Sequence, residues 1–559
     1  MTTRSGRSGD QPDILLVMAD QLAPHFTSTY GHPLVKTPHL DALAERGVRF
    51  DAAYCHAPLC APSRFTMLSG LTASTIDAWD NASEFPASIP TLSHHLRLAG
   101  YRTILSGKMH FVGPDQLHGY EERLTTDIYP ADFAWTPNWE KADERIDKWY
   151  HNMDVLADAG AAVTTYQIDY DTEVGQTARR RLLDIARDRD DRPFFLTASF
   201  IHPHDPYVAR PEWWDLYDHD AIDLPDPYDL DTADPHTCRI RAGIQADAVG
   251  GSGAAFATDQ LRNARHGYYA NTSYFDDWLG RLVTTLEEIG RLDRTVIIVT
   301  SDHGDMLGDR GVFFKMSFHE RSARVPLVMA GPGIDGAADG STVDNACSLL
   351  DLLPTVVDIA TDGRGLDDEG ATDHVDTGAW AGRSLWPAAT GGVDEIDETT
   401  GEYMGEMTSH PMFMIRRGRY KFISCATDPD QLYDLEVDPL ERNNLITPIV
   451  RASGEAGEAP PDPVAGPPAL DSMPLTPVSA AGDYRELAAS FAAEVVERWD
   501  SDAIRERVIE SQRRRRILHE AMSTGALTSW DHLPVNDVAN AYVRNHQDWA
   551  ESGPRMRFP

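Results

Sequence analysis

Four short apolar runs, each breaking off into a cluster of chemically active side chains, constrain the fold of this chain more than any other feature. They cover residues 13–19 (DILLVMA), 102–105, 194–200 (FFLTASF) and 295–300 (TVIIVT). Amphipathic helical patterns at 37–46, 91–99, 166–189 and 258–290 alternate with them, which predicts an α/β fold with a large, mostly parallel sheet flanked by helices. Asp20 follows the first run, Gly107-Lys108-Met109-His110 the second, His202-Pro203-His204-Asp205 the third and Ser301-Asp302-His303-Gly304 the fourth. In open parallel sheets the ligand crevice lies beyond the carboxyl ends of the strands. The four clusters are therefore expected to meet in one site.

The remainder of the 559 residues reads as an appendage to this frame. We expect a catalytic α/β domain over 11–390 and a smaller C-terminal α+β subdomain over 391–559, with short strands at 413–416, 419–424 and 431–434 and helices at 484–500 and 502–523. A tail carrying Trp530-Asp531-His532 follows. Stretches 245–257, 362–378 and especially 452–482, rich in Pro, Gly, Ala and Glu, read as surface loops, the last a flexible insertion. Arg513-Arg514-Arg515-Arg516 lies within the last predicted helix and reads as a solvated or interface face.

Charge excludes one partner class. With 50 Lys and Arg against 88 Asp and Glu, the formal charge is −38, so nucleic acid is not an expected partner. Such acidity is consistent with solubility and, as an expectation, with adaptation to high internal salt. Only six residues are Lys (Lys36, Lys108, Lys141, Lys148, Lys315, Lys421), leaving 50 − 6 = 44 Arg. A buried Lys in such a chain is a pointer to function. The five Cys show no CxxC spacing, and no apolar stretch reaches the length of a signal peptide core or a membrane span. A soluble cytoplasmic protein is the expectation.

The segment Cys60-Ala61-Pro62-Ser63-Arg64 precedes Phe65-Thr66-Met67-Leu68-Ser69-Gly70. A Cys at a Pro-bearing helix start sits where backbone N–H groups and the helix dipole favour an anion, and Arg64 adds a cation one turn inward. By itself a lone Cys is more often inert core. The pattern C-x-P-S-R followed by L-x-G, however, resembles the signature of type I sulfatases. Asp20, Gly107-Lys108-x-His110, His204-x-Pro206, Asp302-His303-Gly304 and Leu432-Tyr433-Asp434-Leu435 fit the same family pattern. Within that family the chain looks most like choline sulfatases, through the run from Gly107 to Gly119, Glu122 to Pro130, Trp149-Tyr150-His151-Asn152, His202 to Tyr207 and Trp530-Asp531-His532.

The resemblance implies an alkaline-phosphatase-like sulfatase fold and a sulfuric ester hydrolase. It implies that Cys60 is oxidised to formylglycine by dedicated maturation machinery, whose hydrated form attacks sulfur through one hydroxyl and expels sulfate through the other. It implies a divalent metal held by Asp20, Cys60, Asp302 and His303, with Ca²⁺ first and Mg²⁺ or Mn²⁺ open. One departure stands out: Asp20-Gln21 replaces the paired Asp of many sulfatases. Arg64, Lys108, His110, His204 and Lys315 take the family's catalytic positions, with the lysines on sulfate, His110 beside the diol, and His204 with Lys315 protonating the leaving oxygen.

A quaternary ammonium cannot donate a hydrogen bond, so its recognition needs aromatic faces and carboxylates. Phe133, Trp135, Trp149, Tyr150 and His151 crowd one loop-like stretch. The resemblance places Asn81, Trp135, His151 and Asp531 at choline, with Asp531 on a tail that a neighbouring subunit could supply in a dimer or tetramer. The expected reaction is hydrolysis of choline-O-sulfate to choline and sulfate. Two alternatives remain at this point: a phosphonate monoester or phosphodiester hydrolase or another alkyl or aryl sulfatase of the superfamily, and an inactive homologue that binds choline or sulfate.

Overall fold

The computed structural model describes residues 11–142, 151–187, 190–228, 230–246, 257–336, 338–363, 380–446 and 481–535. The four apolar runs form adjacent strands at the centre of an eight-stranded sheet, in the order Thr295–Ser301, Asp13–Asp20, Phe194–Pro203, Arg102–Gly107. All three junctions between them are parallel. Every residue of these strands is buried, which is why they read as continuous apolar runs without alternation. Each extends one to three residues past its predicted end, so that the first residues of the polar clusters are themselves strand.

Glu122–Arg123 continues the sheet at one edge. At the other, Leu327–Ala330 runs antiparallel to both Thr295–Ser301 and Val48–Phe50, which makes the sheet mixed. The reason lies in the connection: between Ser301 and Leu327 the helical pieces are a three-residue turn and the four residues Glu320–Ala323, too short for a parallel crossover. That loop carries Lys315.

Helices Pro38–Glu45, Leu92–Leu98, Tyr166–Ile185 and Thr258–Glu288 occupy the predicted places. Tyr166–Ile185 packs tightly on the long helix at Gly175, where a Cβ would fall 2.3 Å from the Trp278 ring. Among the described residues no helix is long and apolar enough to cross a membrane, and all five cysteines are free.

The C-terminal subdomain holds a four-stranded antiparallel sheet, Glu398–Tyr403, Met412–Arg417, Tyr420–Cys425 and Asp428–Asp434. Its first strand is absent from the sequence-based expectation, because ETTGEY turns Thr399, Gly401 and Glu402 inward and offers no apolar alternation. Helix Ala481–Arg498 packs on this sheet through Phe491, stacked on Phe422 at 5.6 Å. Helix Ser501–Ser523 follows. Its arginine run is not uniformly solvated: Arg513 and Arg514 are exposed, but Arg515 is buried against Asp80, because the helix lies across the catalytic domain and turns that face inward. Most of 245–257, 362–378 and 452–482, along with Trp149 and Tyr150, lies outside the described residues.

Candidate active site

Cys60 is the first residue of helix Cys60–Ser69, every residue of which is buried. One turn on, the same helix directs Arg64 into the sheet's carboxyl edge. Its Nε donates to Asp302 Oδ2 at 2.8 Å, Nη2 to Asp20 Oδ2 at 2.9 Å, and Nη1 to the Lys108 carbonyl at 2.7 Å and Ser199 Oγ at 2.9 Å. One guanidinium thus ties all four central strands, three of them at their carboxyl ends, to the Cys60 helix. Gly107 makes the approach possible: its φ of 108° ends the strand, and a Cβ would lie 2.0 Å from the Ser199 carbonyl oxygen. The chain then swings Lys108 onto Asp20 Oδ2. Burial alone would raise the Asp20 carboxyl, but Lys108 and Arg64 override it and hold the group well below the usual carboxylate range.

With Arg64 occupying both Oδ2 atoms, the Oδ1 atoms of Asp20 and Asp302 lie 4.0 and 3.7 Å from His303 Nε2, itself 3.2 Å from Cys60 Sγ. One ligand-type atom from each of Asp20, Cys60, Asp302 and His303 falls within 4.8 Å of the others. The donor chemistry fits a divalent cation. His303 Nδ1 faces the Gly304 carbonyl at 3.0 Å, so that nitrogen carries the proton and Nε2 keeps its lone pair towards the cluster. Burial holds this imidazole below its ordinary range, hence neutral.

Gln21 points away from the cluster. Its Oε1 accepts from Lys315 Nζ at 2.7 Å, and its Nε2 donates to Asp305 at 2.7 Å and Asp205 at 3.2 Å. Lys315 Nζ also lies 3.0 Å from His204 Nε2, while His204 Nδ1 faces the Asp205 carbonyl at 2.8 Å. That arrangement makes His204 a neutral acceptor of the Lys315 proton, and burial holds the imidazole well below its ordinary range. For Lys315, burial works against the charge, but Cys60, Asp20, Asp205 and Asp302 more than offset it. His110 is buried beside them, and among the described residues its ring nitrogens make no hydrogen bond of good geometry. Gln21, His110, Phe314 and Met316 all adopt positive φ, a strain of about 1–2 kcal/mol each that clusters at this site.

A cavity of about 290 Å³ opens over Cys60. Of the residues singled out from the sequence, Cys60, Asn81, Trp135, His151, His204 and Lys315 line it. Asn81 Oδ1 also accepts from Ala61 N at 3.0 Å. The His151 ring stacks on Phe314 at 4.4 Å, and burial together with Lys315 keeps it neutral. Asp531 is not brought to the cavity: its carboxylate accepts from Ala131 N at 2.9 Å and Ser529 Oγ at 2.7 Å on the outside of the same loop, where Trp530 packs on Phe133.

Tyr129 and Glu406 are among the lining residues that the sequence did not mark as part of the site. Tyr129 lies with its ring 4.3 Å from Lys108 Nζ and 4.9 Å from the Trp135 ring. It stands in a stretch matched to choline sulfatases, and that was the signal that could have singled it out. Glu406 is buried at the cavity wall, and burial, reinforced by Asp80, pushes its carboxyl up to about 7. Nothing local marks a lone Glu in Gly-Glu-Met as a site residue.

A sequence profile of the sulfatase family matches residues 12–362. The chain belongs to the sulfatase family. A second profile, described as the C terminus of choline sulfatase enzymes, matches residues 506–558. Over 554 residues the chain is 42% identical to a choline-sulfatase of Rhizobium meliloti (strain 1021), covering 98% of this chain and 99% of that one. An arylsulfatase of Clostridium perfringens is 29% identical over 460 residues, 78% of this chain and 90% of that one. Among solved structures, a phosphonate monoester hydrolase of Agrobacterium radiobacter superposes with a TM-score of 0.61 at 23% identity, covering 89% of this chain and 96% of that one, which speaks to the fold alone. As a sulfatase, the chain is a sulfuric ester hydrolase, and its family implies a divalent metal and formylglycine.

Proposed function

We propose that this sulfatase hydrolyses choline-O-sulfate to choline and sulfate. The observation that carries the reading is one small cavity with two chemically opposite halves. Cys60 and Lys315, with the Asp20/Asp302/His303 cluster behind them, suit a sulfate; Trp135, His151, Asn81 and Glu406 suit a quaternary ammonium, and Tyr129 stands between the two, against both Lys108 and Trp135. The identity to the R. meliloti choline-sulfatase over nearly its whole length supports the same substrate.

Oxidised to formylglycine and hydrated, residue 60 would supply the nucleophile, and Asp20, Asp302 and His303 would hold a divalent cation whose chemistry would be Lewis acidity towards sulfate. Arg64 aligns the two carboxylates by occupying their outer oxygens. Lys108 and Lys315 bind the sulfate oxygens. His110, buried beside Cys60, orients or deprotonates the attacking hydroxyl. Lys315 Nζ and His204 Nε2 share one proton across 3.0 Å, and this pair delivers it to the choline oxygen as the sulfur–oxygen bond breaks.

The ammonium half is tested by kinetics. Trp135→Ala and Glu406→Gln are each expected to raise KM for choline-O-sulfate by about tenfold with little change for an aryl sulfate whose alcohol carries no cation; equal effects on both substrates would remove these residues from the cation site. Because the Glu406 carboxyl sits at about 7, it is anionic above that value and neutral below it. KM for choline-O-sulfate should therefore fall as pH rises through about 7, and Glu406→Gln should flatten that dependence.

We propose Ca²⁺ as the ion on the resemblance to the family, with Mg²⁺ and Mn²⁺ as alternatives, because the carboxylates of Asp20 and Asp302 suit a hard ion without choosing among these three. Stripping with chelator should abolish turnover, and Ca²⁺ should restore more of it than Mg²⁺ or Mn²⁺; better rescue by Mn²⁺ would reverse the assignment. A second reading rests on Gln21, which leaves no second acidic ligand after the first strand, and would make phosphonate monoesters or phosphodiesters the substrates. Side-by-side kcat/KM on choline-O-sulfate, an aryl sulfate and a phosphonate monoester separates the two. The chain is also proposed to assemble as a homo-oligomer in which a neighbour's tail could bring its Asp531 nearer the cavity; its molar mass in solution tests this.

A further inference from the structure

The C-terminal helix Ser501–Ser523 touches no lining residue of the cavity through the hydrogen bonds of its inward face, yet it holds the segment behind three of them. Gln512, Arg515 and Arg516, at i, i+3 and i+4, share one face. Arg515 grips Asp80 with both terminal nitrogens, at 2.5 and 2.7 Å, in a pair that is almost wholly buried. Asp80 precedes Asn81. Gln512 Oε1 accepts from Trp139 N at 2.8 Å, and the Trp139 indole donates to the Gly405 carbonyl at 2.9 Å, immediately before Glu406. Arg516 donates to the Pro137 carbonyl at 3.1 Å, two residues beyond Trp135. Three chain segments far apart in sequence are thus set by one helix face, and each carries one side chain of the ammonium half.

We propose that Gln512, Arg515 and Arg516 are positioning residues that set the spacing of Asn81, Trp135 and Glu406, and so determine selectivity for a cationic alcohol over a neutral one. This rests on the choline-O-sulfate reading above. The sulfate half is built separately, from strand ends locked by Arg64 and Lys108. Its link to this face runs through Asn81 and Ala61 N. A purely structural brace would impair every substrate alike, whereas a positioning face for the ammonium half acts on the substrate that carries the cation.

The test uses the full-length, metal-loaded, matured enzyme with choline-O-sulfate and 4-nitrophenyl sulfate. Arg515→Gln is expected to lower kcat/KM for choline-O-sulfate by about 30-fold, chiefly through KM, while kcat/KM for 4-nitrophenyl sulfate changes by less than about threefold. Equal losses on the two substrates, or no change on either, would overturn the inference. Since Arg515→Gln leaves the buried Asp80 carboxylate without its partner and could prevent folding, Gln512→Met provides a gentler variant that removes only the Trp139 N contact. It should show the same split at about three- to fivefold, and an even loss would count against the proposal. If the parent enzyme turns over 4-nitrophenyl sulfate but not choline-O-sulfate, the substrate reading itself falls and takes the inference with it; a parent active on both, with an even loss in the variants, defeats the inference alone.

Discussion

Cys60→Ala is expected to lower kcat for choline-O-sulfate by at least about 10⁴-fold, because it removes the side chain proposed to be matured into the nucleophile, and the remaining groups bind and polarise without attacking. The fold should survive. Cys60 is the first residue of a buried helix whose hydrogen bonds are made by backbone, and Ala is the best helix former, so the change deletes one terminal heteroatom, sulfur before maturation or oxygen after it, and little packing. Circular dichroism and a urea titration should overlay those of the parent, while peptide mass mapping of the parent should show residue 60 converted from thiol to aldehyde. Full turnover by Cys60→Ala would dispose of the proposed mechanism.

Arg64→Leu is expected to do the opposite to stability. Arg64 is fully buried between Asp20 and Asp302 and adds contacts to the Lys108 carbonyl and Ser199. Removing it strands two carboxylates in a low-dielectric interior, with Lys108 left to compensate Asp20 alone, at a cost of about 3–5 kcal/mol. Arg64→Lys should recover only part of this, since an ammonium cannot bridge both carboxylates with a planar fork. Added divalent metal should narrow the gap between parent and variant, because it neutralises the same two groups from the other side. Urea unfolding with and without metal measures both effects; a loss below about 1 kcal/mol in metal-free protein would mean that the buried cation is not what holds these strand ends together.

These expectations separate residues whose roles are written locally from residues whose roles are not. The four central strands could be read because burial on both faces demands unbroken apolar runs, and the polar residues next to each run could be read because chain adjacency places them at the strand ends. The placement of Asp20, Lys108, His204 and Asp302 at strand ends was therefore legible in the sequence, whereas Cys60 and Arg64 were singled out by their resemblance to the sulfatase signature and not by the helix start alone. The first strand of the small sheet, with Thr, Gly and Glu facing inward, carried no such pattern.

What lay beyond the sequence depends on which distant segments touch. Glu406 becomes a cavity residue because Trp139, 266 positions away, holds the carbonyl of Gly405. Arg515, in a run that reads as either a solvated or an interface face, is buried because a carboxylate 435 positions earlier meets it. Gln21, a neighbour of the metal cluster in sequence, turns instead to Lys315 because Asp205 and Asp305 capture its amide. Local patterns record burial and backbone conformation, which each segment satisfies for itself; a pairing between two buried polar groups is satisfied only when both arrive, and neither segment alone shows that the other will.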